Sequence, residues 1–453
     1  MSAEGTDHAA PEVRPAGKPA ARPHAVATVV PPASVPLSFL AAAPAGLAGC
    51  GVALAWARDA AVADPTAGPV VAAAHLGVLA TLSMGVLGAL HQFTPVITHR
   101  PLRSVALARA TFLAWLAASW LLPLGVAAGQ EDLVEAGGGL AAAAVSLLAA
   151  NLWPAISVRG KGWTVTGLRL AVAGLAVTAC YGVVYVADRR GNWFGLAGHV
   201  LVAHAVAGLF GWLGLTYVTL AGTLWPMFFL ANVPSRNRLG TWAVWGTAAG
   251  VVLLSPGLLL GVSWLAWAGA VALGGGLSGH LTMLARHLRH RRRRAGLFLV
   301  FVVTSAGWLA AGAGLALAAD LAAARRAGLA AAAVTALAGW VLEALAGHAL
   351  KVVPLITWPA LGTRTAVSVP SAGRPGGPGL HIPSLAALSY GLLTTGVAAT
   401  CAGFALSLAV LLAAGGGLLA AAGTAAAASL SARPLQMLAR SRLNRDRAAG
   451  GAA

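Results

Sequence analysis

Histidine is the residue type in this sequence that could most readily carry chemistry. Twelve histidines are present, and five of them lie within long apolar stretches: His75, His91, His199, His204 and His348. An ionisable side chain is costly inside a membrane span, so it usually faces the protein interior or a partner and is a functional candidate. Because neutral imidazole is a ligand for both haem iron and copper, these five side chains are candidate ligands.

The five histidines form two groups according to their position within the apolar stretches. His75, His199 and His204 lie near the start of their apolar stretches, whereas His91 and His348 lie near the end. His75 and His91 would be about 24 Å apart along one helix, too far to share a metal. His199 and His204 point about 140° from each other, so one could face the interior and the other a neighbouring helix. We predict His75, His199 and His204 as metal or haem ligands, with His91 and His348 secondary; the alternative is that each bonds a backbone carbonyl or a threonine.

A second ionisable set lies in the tenth apolar stretch. Glu343 is the acid placed deepest in such a stretch, and Lys351 follows eight residues later on roughly the same helical face. A buried carboxyl with a distant basic partner suits proton uptake, so we expect Glu343 and Lys351 to act as a proton relay. The alternative is a structural carboxyl held by a backbone or arginine contact.

The composition predicts the elements that hold these residues. The chain has 453 residues, of which 58% are hydrophobic and 9% charged, and its mean hydropathy is +0.79. These charges are too few to cover a soluble globule, so we predict an all-α polytopic membrane protein. Runs of about 20 apolar residues, enough to span a bilayer as helices, recur twelve times. We place them near 34–57, 69–97, 104–128, 134–156, 164–187, 194–230, 240–259, 262–284, 296–319, 327–356, 385–411 and 413–431.

The charges predict the orientation of the chain in the cell membrane. With both termini in the cytoplasm, 25 of the 30 basic residues fall on the cytoplasmic side, and seven of the twelve acids fall in the opposite loops. The run from Arg286 to Arg294 is then a topology anchor near anionic headgroups. The net charge of +18 is therefore explained by the membrane, and we expect no nucleic-acid partner.

Three similar stretches indicate an internal repeat. Gly88–Thr98 and Gly347–Thr357 share glycine, six residues, proline, an aliphatic residue, isoleucine and threonine, and Gly222–Phe229 keeps the glycine and a proline. They fall at the ends of the second, sixth and tenth helices. We therefore predict three pseudo-repeated four-helix arcs, over about 34–156, 164–284 and 296–431. A disordered cytoplasmic leader, 1–33, would precede them and a basic cytoplasmic tail, 432–453, would follow.

The segments from His75 to His91, from Phe210 to Thr216 and from Gly222 to Pro226, within twelve helices in three arcs, resemble subunit I of the haem–copper oxidase superfamily. The resemblance is nearest to NnrS-like proteins, and to actinobacterial membrane proteins associated with copper nitrite reductase or multicopper oxidase. It implies haem, copper or both, with His75 matching the haem ligand of the second helix, and His199 or His204 matching the copper or haem ligand of the sixth. The implied role is electron transfer or nitrogen-oxide metabolism, with a copper nitrite reductase, a multicopper oxidase or a cytochrome-type donor as partner.

Departures from the oxidase pattern leave other functions open. The seventh helix lacks the paired histidines of the oxidase copper site, and the tenth has no His-x-His in its outer part, which argues against a complete terminal oxidase. A proton-coupled small-solute transporter or channel using Glu343 and His348 is one alternative. A cofactor-free membrane scaffold for a copper enzyme is another.

Overall fold

The chain was analysed as a computed structural model that describes residues 29–450, apart from 161, 193–194, 196, 234–237, 295, 323–325 and 363–381. The described residues are almost entirely helical and contain no strand. Twelve helices are long and apolar enough to cross a bilayer, which confirms the predicted all-α polytopic membrane class. Their spans are α1 Ser34–Trp56, α2 Gly68–Thr98, α3 Val105–Ala128, α4 Glu131–Ile156, α5 Gly162–Asp188, α6 Gly198–Phe229, α7 Arg238–Leu259, α8 Ser263–Arg289, α9 Leu297–Leu321, α10 Arg326–Thr357, α11 Pro383–Leu406 and α12 Ala409–Leu430.

Some helices run beyond the membrane spans. The helical backbone that contains α5 continues to Gly191, that of α10 to Gly362 and that of α12 to Gly450, so most of the predicted basic tail has a helical backbone. A short helix, Arg58–Ala63, connects α1 to α2. The predicted leader lies outside the described residues except for its last five.

The boundary between the last two helices differs from the prediction. The predicted spans 385–411 and 413–431 place the break at residue 412, but the chain turns at Ser407, which has a left-handed φ of 56°. Gly415 and Gly416 lie inside α12. A Cβ on Gly415 would collide with Thr400 of α11, and a Cβ on Gly416 would collide with the backbone of α1. These glycines therefore permit close helix packing, which a sequence reading cannot separate from a turn.

Consecutive helices pack against each other, except α8 and α9, and α12 packs against α1 to close the bundle. The three helices predicted to line the protein are the most buried. Two thirds of the apolar window is buried in α2 and α6, and half in α10, compared with 17–44% in the other nine spans. The centre of the molecule is therefore formed by α2, α6 and α10.

The three glycine-to-proline stretches close these central helices, as predicted. Pro95 and Pro226 lie in the last turns of α2 and α6, which end at left-handed residues, and Pro354 lies near the end of α10. A Cβ on the glycine of each stretch would collide with a residue on a neighbouring helix. These contacts include Gly88 with Phe39 of α1, Gly222 with Met283 of α8 and Gly347 with Phe301 of α9. The glycines therefore permit close packing of the central helices.

Acidic residues gather where the chain connects α1 to α2 and α3 to α4, and where α5 and α9 end. There the Arg190 guanidinium bonds the carboxylates of Glu131 and Glu135, which ties the end of α5 to the start of α4. The hydrogen bond that Arg190 donates to Glu131 contributes most to raising the pKa of Arg190 above its ordinary value. We call this end of the bundle the acidic end and the other the basic end.

Candidate functional site

Two of the central helices contain long π-helical segments, Leu76–Ser83 in α2 and Ala207–Gly214 in α6. The segments end with bonds of the π type, from the Met84 N–H to the Leu79 carbonyl and from the Leu215 N–H to the Phe210 carbonyl. The π-helix is rare and occurs frequently at functional sites. His75 immediately precedes the first segment, and His204 lies three residues before the second. The described part of α10 carries no such segment.

Tryptophan side chains stabilise the π-helical backbone. The Trp115 indole N–H of α3 donates to the Leu79 carbonyl at 3.0 Å. The Trp212 indole N–H of α6 donates to the Ser83 hydroxyl of α2 at 2.9 Å, so the two π segments are joined directly. Both indoles belong to buried side chains, and a buried polar group that lost its partner would be costly. These bonds therefore fix the positions of α2 and α6 close to the two histidines.

His75 and His204 lie side by side between α2 and α6. Their ring centroids are 6.1 Å apart and their ring planes differ by 29°. Nδ1 of His75 lies 2.8 Å from the Val71 carbonyl, and Nδ1 of His204 lies 3.0 Å from the Thr178 carbonyl. Because a carbonyl only accepts, each Nδ1 must carry the proton and each Nε2 keeps its lone pair. Metal-bound histidines are oriented in the same way, by donating the other ring N–H to a carbonyl or carboxylate.

His199 does not join this pair. Its side chain is exposed, and its Nδ1 lies 3.1 Å from the Leu258 carbonyl at the end of α7. The ring also lies close to Gly261 in the connection after α7. The structure therefore brings together two of the three residues predicted as ligands and directs the third towards a neighbouring helix.

The secondary candidates occupy the other half of the bundle, towards the basic end. His91 was expected near the headgroups, but it is fully buried and stacks on Phe39 with centroids 5.1 Å apart. His348 is also buried, with its ring 5.2 Å from Phe298 and 5.8 Å from Tyr217. In both residues Nδ1 bonds the carbonyl four residues earlier, the ordinary helical alternative considered for each histidine.

His280 is a buried residue that the sequence reading placed at the interface. It is 1% exposed, and its ring lies 4.9 Å from Trp225 and 5.2 Å from Tyr217. Trp225, expected to be an interfacial anchor, is fully buried as well. A signal was present in the helical spacing of α8, where one buried stripe contains Leu273, Leu277, His280, Met283 and His287.

Tyr217 separates the two buried histidines of this region, which we call the inner cluster: Tyr217, Trp225, His280, Trp340 and His348. Tyr217 makes edge-to-face contacts with His280, Trp340 and His348. Three buried nitrogens of the cluster have no partner among the described atoms: Trp225 Nε1, His280 Nδ1 and His348 Nε2. The geometry is that of an aromatic packing cluster in which the imidazoles are kept apart.

Glu343 and Lys351, the predicted proton relay, lie in different surroundings. Glu343 is fully buried, and its Oε1 accepts hydrogen bonds from Trp308 Nε1 at 2.8 Å and Thr394 Oγ1 at 2.6 Å. Its Oε2 is buried without a partner among the described atoms. Lys351 lies over the Phe298 ring, 5.7 Å from its centroid. Glu343 therefore lies between α9 and α11, while Lys351 contacts α9 near the end of α10.

Within the described residues, no three of histidine, cysteine, aspartate and glutamate gather closely enough to hold a metal ion. The outer pair, His75 and His204, therefore brings together two candidate ligands. No protein-family profile matches the chain, and a search of characterised proteins finds no match either. The site must therefore be interpreted from its own geometry.

Proposed function

We propose that this protein binds haem in the membrane through His75 and His204 and takes part in electron transfer. The observation that carries the proposal is the separation of the two rings, 6.1 Å between centroids. Imidazole nitrogens bind metals at about 2.0 Å, so two rings this close together could both hold the haem iron. The protonated Nδ1 of each ring leaves Nε2 for the metal.

The number of ligands favours haem over copper held by protein alone. Copper and zinc sites usually take three or four protein ligands, and the described residues offer two at this position. Haem supplies four nitrogens of its own and needs only axial ligands from the protein. We therefore take haem as the cofactor and leave copper as the alternative metal.

The ligand arrangement also favours electron transfer over nitrogen-oxide handling. Haem held by both His75 and His204 would supply one-electron transfer rather than substrate chemistry. The polypeptide would orient both imidazoles through the Val71 and Thr178 carbonyls and restrict water through the packed π segments. Nitrogen-oxide handling at the iron would require one of the two imidazoles to leave.

An optical spectrum of the purified full-length chain tests this function. We expect haem bands in the reduced-minus-oxidised spectrum, and we expect His75→Ala and His204→Ala to remove them. The matched control is His199→Ala, because His199 lies on the same helix as His204 but faces α7. Added imidazole should restore bands in His204→Gly. A spectrally silent, metal-free protein, or bands that persist in both alanine variants, would overturn the proposal.

A proton-coupled transporter is the second candidate function, and Glu343 supports it. A fully buried carboxyl whose Oε2 has no described partner is a candidate proton carrier in a membrane span. We expect this candidate to produce proton flux in proteoliposomes, measured with an internal pH dye, that is lost in Glu343→Gln. Glu135→Gln is the control, since Glu135 lies exposed at the acidic end beside Arg190. Equal flux in liposomes without protein would exclude this function.

A further inference from the structure

A polar pocket of about 320 Å³ lies at the basic end of the bundle, between the start of α5 and the start of α7. The connection from α4 to α5 forms one wall through Val158 and Gly160. The other walls include Trp163, Arg169, Thr241 and Trp245. Its lining therefore combines one cation, hydroxyl groups and two indoles.

Arg169 is held in a fixed orientation at this pocket. Its Nε donates to the Ile156 carbonyl at 2.6 Å and its Nη2 to the Val158 carbonyl at 2.7 Å. Two carbonyls orient the guanidinium but do not neutralise its charge, and its Nη1 takes no part in these two bonds. Arg169 lies seven residues inside α5, about 10 Å along the helix from Gly162, and therefore within the membrane-spanning part.

Arg169 is exposed at this pocket, and no described acidic side chain pairs with its guanidinium, which leaves the charge free to bind an anion. Seven of them belong to the acidic end of the bundle, and Glu343 is bonded to Trp308 and Thr394. The helix starts of α5 and α7 add the partial positive charge of their N-termini to that of Arg169. The pocket is therefore electropositive at the level of the membrane interface.

We propose that this pocket binds the phosphate group of an anionic phospholipid. Basic pockets between membrane helices recognise such headgroups, and a guanidinium bonds phosphate oxygens strongly. Tryptophans at span ends lie at headgroup depth, which fits Trp163, at the start of α5, as a neighbour of a glycerol phosphate. Trp245 is 54% exposed on α7, so acyl chains could extend along that helix. A free phosphate would gain nothing from this apolar surface.

Native mass spectrometry of the full-length protein tests the lipid site. The protein is exchanged into mixtures of phosphatidylglycerol and phosphatidylcholine, and the bound fraction of each lipid is measured. We expect the wild type to retain phosphatidylglycerol preferentially, and Arg169→Gln to lower that retention by about tenfold through the lost charge-assisted bonds. The matched control is Arg109→Gln, because Arg109 lies five residues into α3 at the same end and does not line the pocket.

A second variant guards against a folding defect, since Arg169 also holds the connection between α4 and α5. Thr241→Phe fills the pocket from α7 without altering the two carbonyl bonds, and we expect the same loss of phosphatidylglycerol with an unchanged circular dichroism spectrum. Retention equal to wild type in both Arg169→Gln and Thr241→Phe would overturn the proposal. Displacement of the bound lipid by millimolar inorganic phosphate would also overturn it, because the pocket would then be a site for the free anion.

Discussion

The outer pair, His75 and His204, and the inner cluster around His280 and His348 place the same side chain in opposite settings. The outer imidazoles are partly exposed, nearly parallel and 6.1 Å apart, next to π-helical backbone. The inner imidazoles are buried, and Tyr217 packs edge-to-face against both. Burial alone therefore does not identify a ligand site. What distinguishes the outer pair is that its rings lie beside each other and each Nδ1 bonds a backbone carbonyl, whereas Tyr217 contacts both inner rings.

The largest expected difference between the two regions is cofactor occupancy. We expect His75→Phe and His204→Phe to lose nearly all bound haem, since phenyl fills the space but offers no ligand. His280→Phe and His348→Phe should retain it, because phenyl preserves the aromatic packing of the inner cluster. The measurement is haem per protein by pyridine haemochrome. Loss in the inner variants with retention in the outer variants would reverse the comparison.

Stability, in contrast to haem occupancy, should depend more on the inner cluster than on the outer pair. Trp340 is 1% exposed and contacts Phe210, Tyr217 and His280. We expect Trp340→Ala to lower the free energy of unfolding by about 3–5 kcal/mol, the usual result of truncating a buried tryptophan. The unfolding transition in detergent checks this, with the partly exposed His204→Ala as the comparison variant. A smaller effect for Trp340→Ala than for His204→Ala would show that the inner cluster is not the more important packing centre.

Removal of the hydrogen bond between Trp212 and Ser83, which joins the two π segments, should have an intermediate effect on stability. Ser83→Ala removes the acceptor of the Trp212 indole and leaves a buried N–H without that partner. We expect a loss of about 1–3 kcal/mol in unfolding free energy. The haem spectrum should also change, because α2 and α6 would no longer be fixed beside the histidines. Ser119→Ala in α3 is the control, since its buried hydroxyl bonds within its own helix, to Leu116. An unaltered spectrum in Ser83→Ala would separate the π segments from the outer pair.

The smallest effect is expected in the connection that precedes α2. The Thr66 hydroxyl and then its N–H donate to Asp64 and lower the pKa of that carboxyl. A lowered folded-state pKa stabilises the protein above the unfolded pKa of about 3.9, and this contribution is lost as the pH falls through the folded value. Thr66→Ala should therefore reduce stability by less than about 0.5 kcal/mol at neutral pH.

Thr66→Ala is compared with the wild type by measuring the unfolding midpoints of both proteins between pH 3 and pH 7. The difference between the two proteins should disappear at the acidic limit. We expect haem occupancy to be unchanged, because the outer pair is positioned within the membrane helices. A pH-dependent change of occupancy in Thr66→Ala would instead connect the outer pair to this loop.

Helical spacing separated some candidate residues correctly and failed for others. The 140° between His199 and His204 indicated that they face different ways, and in the structure one faces α2 and the other α7. Spacing did not reveal that Trp225 is buried, because it lies near the end of α6, where an interfacial position is common. Nor could it find the π segments, whose hydrogen-bond pattern depends on partners such as Trp115 from another helix.

The sequence by itself determined the twelve spans, because a run of about 20 apolar residues is sufficient to specify a membrane helix. It also located the central helices α2, α6 and α10 through their glycine-to-proline stretches. Only the tertiary structure decided which histidines meet. A span fixes the depth of a side chain, but its neighbours depend on the rotation and packing of each helix against the others. For that reason His75 and His204 form a pair, whereas His280 and His348 are separated by Tyr217.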